Sequence, residues 1–191
     1  NGTIDITGIE VKYLAVEPAP VLRNGNFESG ITSGGLPVSW YILGENGQEL
    51  LTRRAIRVEV SDDQEFAQRN YLRLINGPEI SGLHLGSTAF PFPEEGYLDV
   101  EFLARSPEGV SMEVRLASSS NRNITLHDSR VLELNPEWTS YRLDLRPPAG
   151  GNWPVRVFLS LLHENEWGEV DVTGFIIRNS GDPAGRTLLP E

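Results

Sequence analysis

The stretch YLDVEFLAR, Tyr97–Arg105, places Leu98, Val100, Phe102 and Ala104 on one side of an extended chain and Asp99 and Glu101 on the other. Side chains of a strand alternate with a period of two, so the pattern predicts a strand with one face on a core and one towards water. The same pattern recurs on either side of it. In SMEVRLA (111–117), Met112, Val114 and Leu116 point one way against Glu113 and Arg115. Ile56, Val58 and Val60 alternate in RAIRVEV (54–60), and Tyr141, Leu143 and Leu145 in TSYRLDL, Thr139–Leu145. VRVFLSLL (155–162) is nearly continuous in apolar residues and predicts a central strand covered on both faces.

Between these runs lie turn clusters at 29–35, 76–78, 118–123, 147–151 and 179–185. A helical stripe is limited to one turn over 61–68, where Ser61 offers a cap. Nineteen glycines and thirteen prolines in 191 residues suit many short strands. The length fits one domain able to bury its own core without staples. The expected fold class is all-β: a jelly-roll β-sandwich of two antiparallel sheets.

Composition removes several function classes. A net charge of −11 repels nucleic acid and anionic membrane. No apolar run approaches the roughly twenty residues that span a bilayer, so membrane insertion is not expected. The chain has no cysteine, which removes disulfides, thiol catalysis and Cys-ligated zinc.

One segment occurs twice. GTIDITGIEVK (2–12) returns as GEVDVTGFIIR (168–178), with Gly2/Gly168, Asp5/Asp171, Thr7/Thr173 and Gly8/Gly174 identical. A strand that repeats at nearly the length of the chain predicts one complete unit preceded by the closing strand of another, as in a tandem repeat. Residues 1–19 are accordingly expected to be that closing strand, or an added strand, with EPAP (17–20) as a stiff linker. Residues 20–180 form the module and 181–191 a second linker.

VLRNGNFESG (21–30) followed by GLPVSW (35–40) resembles the opening of carbohydrate-binding modules of the family 4, 9, 16 and 22 type, galactose-binding-like β-jelly rolls. The later landmarks stand in that family's order: NYLRL (70–74), GYLDVEFLAR (96–105), WTSY (138–141) and the closing strand at 168–177. The chain departs from the pattern where Asp171 is followed by Val172 and Thr173 instead of a second acidic or amide residue. The resemblance implies a structural calcium with Glu28 and Asp171 as carboxylate ligands, since calcium takes about six to eight oxygens. It also implies a polysaccharide or oligosaccharide ligand, neighbouring domains in the same chain, and a secreted or cell-surface setting.

Read from the residues themselves, Asn24–Gly25 suits a turn with positive φ, and Phe27 would plug the end of the sandwich. Trp40 and Trp138 are expected to be structural, with one of Trp138 and Tyr141 in the core and the other over the sheet edge. A sugar-binding face needs rings that stack on pyranoses and planar polar groups for hydroxyls. Trp153 and Trp167 fit no core pattern, and His163, Glu164 and Asn165 stand next to Trp167. Arg73, His84 and Arg115 occupy polar-facing strand positions, which belong to a solvated strand face or else line a concave sheet that takes the ligand, while His127 reads as a surface residue in a turn. Glu164 and Glu166 are too close to flank a glycosidic bond, and no hydrolase, zinc or nucleotide motif occurs. The expectation is a non-catalytic carbohydrate-binding module serving a linked enzyme. The competing expectation is a structural or adhesion β-sandwich repeat without a sugar ligand.

Overall fold

A computed structural model describes residues 22, 24–43, 56–60, 70–76, 84–91, 96–120, 123–146, 154–161 and 168–180. Expectations for residues 1–19, 61–68, 77–78, 147–151 and 181–191 lie outside the described residues. Within the described residues the chain forms strands β1 (Trp40–Leu43), β2 (Ile56–Val60), β3 (Asn70–Asn76), β4 (His84–Ser87), β5 (Phe90–Pro91) and β6 (Tyr97–Arg105). It continues with β7 (Ser111–Ser120), β8 (Asn123–Glu133), β9 (Thr139–Leu145), β10 (Pro154–Leu161) and β11 (Gly168–Ser180). Two antiparallel sheets pack face to face: β1-β4-β10-β7-β8, with β5 also on β10, and β2-β3-β11-β6-β9. The fold is the expected jelly-roll sandwich.

The alternation seen in the sequence is what the sandwich buries. Leu98, Val100, Phe102 and Ala104 of β6 and Met112, Val114 and Leu116 of β7 are all within a few per cent of full burial. Val157 and Leu159 of β10 meet them in the core, and burying each such side chain stabilises the fold by about 1.5–3 kcal/mol. β10 runs between β4 and β7, and its Phe158 and Ser160, on the face away from the core, are buried as well. That is the doubly covered central strand its apolar run predicted.

One end is closed by aromatic rings. Phe27, Trp40 and Phe175 are buried within 5.5–6.4 Å of one another, and Phe175 stacks on Phe102 at 4.7 Å. The opening turn delivers Phe27 there. Asn24 takes φ 55°, its side-chain oxygen accepts from the Ser29 backbone N–H, and its carbonyl accepts from Trp40 Nε1 at 3.1 Å. Gly25 is needed for proximity: a Cβ would run into the Phe175 carbonyl, and the Phe175 N–H donates to the Gly25 carbonyl at 3.0 Å. Phe175 itself follows Gly174, at φ 66°, in an irregularity of β11 between Thr173 and Ile176.

Two turn expectations change. Most of 118–123 is strand, because the β7–β8 pairing runs on to Ser120 opposite Asn123. His127 therefore sits in β8, half-buried, with Nε2 2.9 Å from Ser118 Oγ. Tyr141 packs on the core side against Phe102, whereas Trp138 lies on the outer face beside Tyr71.

Candidate functional site

The antiparallel registers of the β1-β4-β10-β7-β8 sheet align one row of residues across five strands. Tyr41 pairs with Gly86, Gly86 with Phe158, Phe158 with Arg115, and Arg115 with Ser129. Gly86, Phe158, Arg115 and Ser129 lie on the face turned away from the core, because Leu85, Leu159 and Val114 beside them belong to it; Tyr41 alternates with the core residue Trp40 and also packs against the core's margin. Gly86 carries no side chain, and Arg156 holds its guanidinium 4.4 Å over the Tyr41 ring while Nη1 donates to the Ser87 carbonyl at 3.1 Å. Burial lowers the pKa of Arg156 from its ordinary value. Arg115 donates through Nε to Glu113 at 2.6 Å on the same face. The Tyr41 hydroxyl is shielded from solvent, and among the described residues nothing hydrogen-bonds it. A buried hydroxyl without a partner costs about 1–3 kcal/mol, so the Tyr41 hydroxyl is a group to which a partner beyond the described residues would add stability.

The expected site residues fall in three places. Arg115 and His84 belong to this sheet, His84 opposite Leu43 and Ser160, although its side chain lies outside the described residues. Arg73 belongs to the other sheet, so the single concave face expected for Arg73, His84 and Arg115 is corrected: long-range pairing puts β3 beside β11. Trp153, His163, Glu164, Asn165 and Trp167 lie outside the described residues. Tyr41 and Arg156 were missed in the sequence. Tyr41 follows the core Trp40, and only the alternation of β1 would have pointed to the opposite face.

Arg73 has a different occupation. Its Nε and Nη2 donate to Asp171 at 2.8 and 3.0 Å, and Nη1 faces Glu59 and Glu169 at 3.5 and 3.1 Å. The hydrogen bond to Asp171 raises the pKa of Arg73. Arg105 Nε donates to the other side of Asp171 at 3.0 Å and lies 4.8 Å over the Trp138 ring. Tyr71, beside these arginines, donates to Glu59 at 2.8 Å; burial, followed by that bond, pushes its pKa up to about 12. Within the cluster Arg73, Arg105, Asp171, Tyr71 and Glu59 are paired with one another, while the buried Trp138 Nε1 makes no hydrogen bond among the described residues. Glu28 is exposed in the opening turn, where Asn26 Nδ2 donates to its carboxylate. No group of three or more His, Asp and Glu able to hold a metal occurs among the described residues.

A groove also runs along the seam between β8 and β9, lined by His127, Asp128, Arg130, Arg142, Asp144 and Arg146. No Phe, Tyr or Trp is among its lining residues. Arg130 is engaged by Asp128 within β8 and Arg142 by Asp99 on β6, and Arg130 Nη2 donates to the Asp144 carbonyl at 3.2 Å, which makes the seam a joint between the sheet edges. The Arg146 backbone N–H donates to Asp128 across that joint. The β1-β4-β10-β7-β8 face is the stronger candidate, because it combines the Tyr41 ring, planar polar groups and a hydroxyl without a partner among the described residues.

No family model matches the chain, and no curated protein matches it. Solved structures do. An arabinose-bound family 51 α-L-arabinofuranosidase superposes with a TM-score of 0.59 at 14% identity over 85% of this chain. This chain spans about a quarter of that enzyme, 26%. A family 61 carbohydrate-binding module in complex with β-1,4-galactotriose gives a TM-score of 0.55 at 15% identity, covering 84% of this chain and 99% of the module. The N-terminal cellulose-binding domain of a Cellulomonas fimi β-1,4-glucanase C gives 0.54 at 11% identity, covering 86% and 99%. At such identities the likeness defines the fold, which is a β-jelly roll of the carbohydrate-binding-module type.

Proposed function

We propose that this chain is a non-catalytic carbohydrate-binding module that holds a linked enzyme or protein against a polysaccharide. The observation that carries the reading is the buried Tyr41 hydroxyl, which lacks a partner among the described residues on a sheet face that also carries Arg156 and the Glu113–Arg115 pair. Rings stack on the apolar faces of pyranoses, and guanidinium and carboxylate groups hydrogen-bond their hydroxyls. Binding then raises the effective concentration of an attached domain at its substrate. The similar modules, one of them bound to β-1,4-galactotriose, support this reading, which carries with it a secreted or cell-surface setting.

Affinity electrophoresis in gels containing soluble β-glucans, xylans and galactans tests it. At least one glycan should retard the wild type. Tyr41→Phe should weaken retention by about 5–30-fold while leaving the fold intact, since only a bond to the ligand is lost, worth about 1–2 kcal/mol. Trp153→Ala and Trp167→Ala test whether those rings belong to the same surface. The competing reading, a structural or adhesion repeat, draws on the duplicated segment at 2–12 and 168–178. Mobility unchanged across the whole panel would favour that repeat.

A further inference from the structure

Asp171 is the position at which the duplicated segment and the expected calcium site coincide, and its surroundings do not fit a metal ion. Its side chain is fully buried. Oδ1 accepts from Arg73 Nε at 2.8 Å, while Oδ2 accepts from Arg73 Nη2 and Arg105 Nε, both at 3.0 Å. A divalent cation at these oxygens would stand against two guanidinium groups, a repulsion that grows as water is excluded. Glu28, the other expected ligand, is exposed and hydrogen-bonded by Asn26.

We infer that an arginine clasp takes the place of a cation at the closing-strand carboxylate, so that the sandwich is stable independently of calcium. The clasp is built into the sheet. Asp171 of β11 is the direct cross-strand partner of Arg73 on β3 and of Arg105 on β6. The forks are held in place by aromatic rings: Arg73 lies 5.5 Å from the centre of Tyr71, and Arg105 lies 4.8 Å over Trp138. Glu59 and Glu169 face Arg73 from β2 and β11 and balance the second positive charge. Three adjacent strands are thus tied by one carboxylate, the task a metal performs when it bridges separate segments.

Thermal melting of the whole chain in excess chelator and in excess calcium chloride tests the inference on wild type, Arg105→Met and Arg105→Lys. The wild-type midpoint should be the same in both conditions. Removing Arg105 takes one charged hydrogen bond from a buried carboxylate that Arg73 still holds, which lowers the midpoint of a chain this size by about 3–12 °C. Arg105→Met should fall by that amount in chelator, and Arg105→Lys by less, because it keeps the charge and loses the fork. A wild-type midpoint that drops in chelator and returns with calcium but not magnesium overturns the inference, wherever the ion binds. So does an Arg105→Met variant that melts with the wild type. Should Arg105→Met fail to fold, the lysine variant and the wild-type comparison still decide. The outcome is independent of whether any glycan binds.

Discussion

Two tyrosines on opposite sheets carry opposite expectations for the same substitution. Tyr71 donates to Glu59, so Tyr71→Phe removes a made bond and should destabilise by about 1 kcal/mol. Tyr41 donates to nothing among the described residues, so Tyr41→Phe should raise the melting point of the free protein, even as it weakens glycan retention. Tyr71 also sets an alkaline limit. Its pKa, raised from 10.0 to about 12, means that the folded chain keeps a proton the unfolded chain has released. Stability linked to Tyr71 is therefore complete below about pH 10 and is lost as pH rises towards 12. Denaturant melts at pH 9 and 11 should show the loss in wild type, with the difference reduced in Tyr71→Phe.

At the scale of elements, β11 is the strand on which most depends. It pairs with β3 and β6, supplies Asp171 to both, and turns Phe175 into the aromatic plug at its irregularity. Gly174 makes that turn at φ 66°, a conformation that costs an L-residue about 1–2 kcal/mol. Gly174→Ala should destabilise by about that much, and Gly174→Asn by less, because Asn tolerates the left-handed region; urea midpoints distinguish them. Strands such as Tyr97–Arg105 were legible because a period of two declares itself within nine residues. Which strands share a sheet was not legible. Arg73 and Arg115 look alike locally, yet pairing across about a hundred residues sends one to a clasp beside Asp171 and the other to the opposite face. Asp171 was legible as a position, but its arginine partners were not, because Arg73 on β3 and Arg105 on β6 are distant from it in sequence.

At the scale of the molecule, the two outer sheet faces carry different chemistry. One holds the Arg73–Asp171–Arg105 network with Tyr71 and Trp138, and the other holds Tyr41, Arg156 and the Glu113–Arg115 pair. That contrast, more than the fold, identifies the face to mutate first. A fold shared with binding modules and with part of a glycosidase does not by itself select a ligand.

The order of synthesis gives the position of β11 a different meaning. β3 and β6 leave the ribosome well before Gly168–Ser180, but in the finished sheet they are neighbours only through that strand. A nascent chain that stops at residue 167 therefore exposes two unpaired strand edges and an unfilled aromatic plug. A fragment ending there should give no cooperative melt by circular dichroism and should be cut quickly by protease. Adding a synthetic peptide of residues 168–180 should restore both properties if the sheet can be completed in trans. For this protein, the completeness of the chain is checked by the sheet itself.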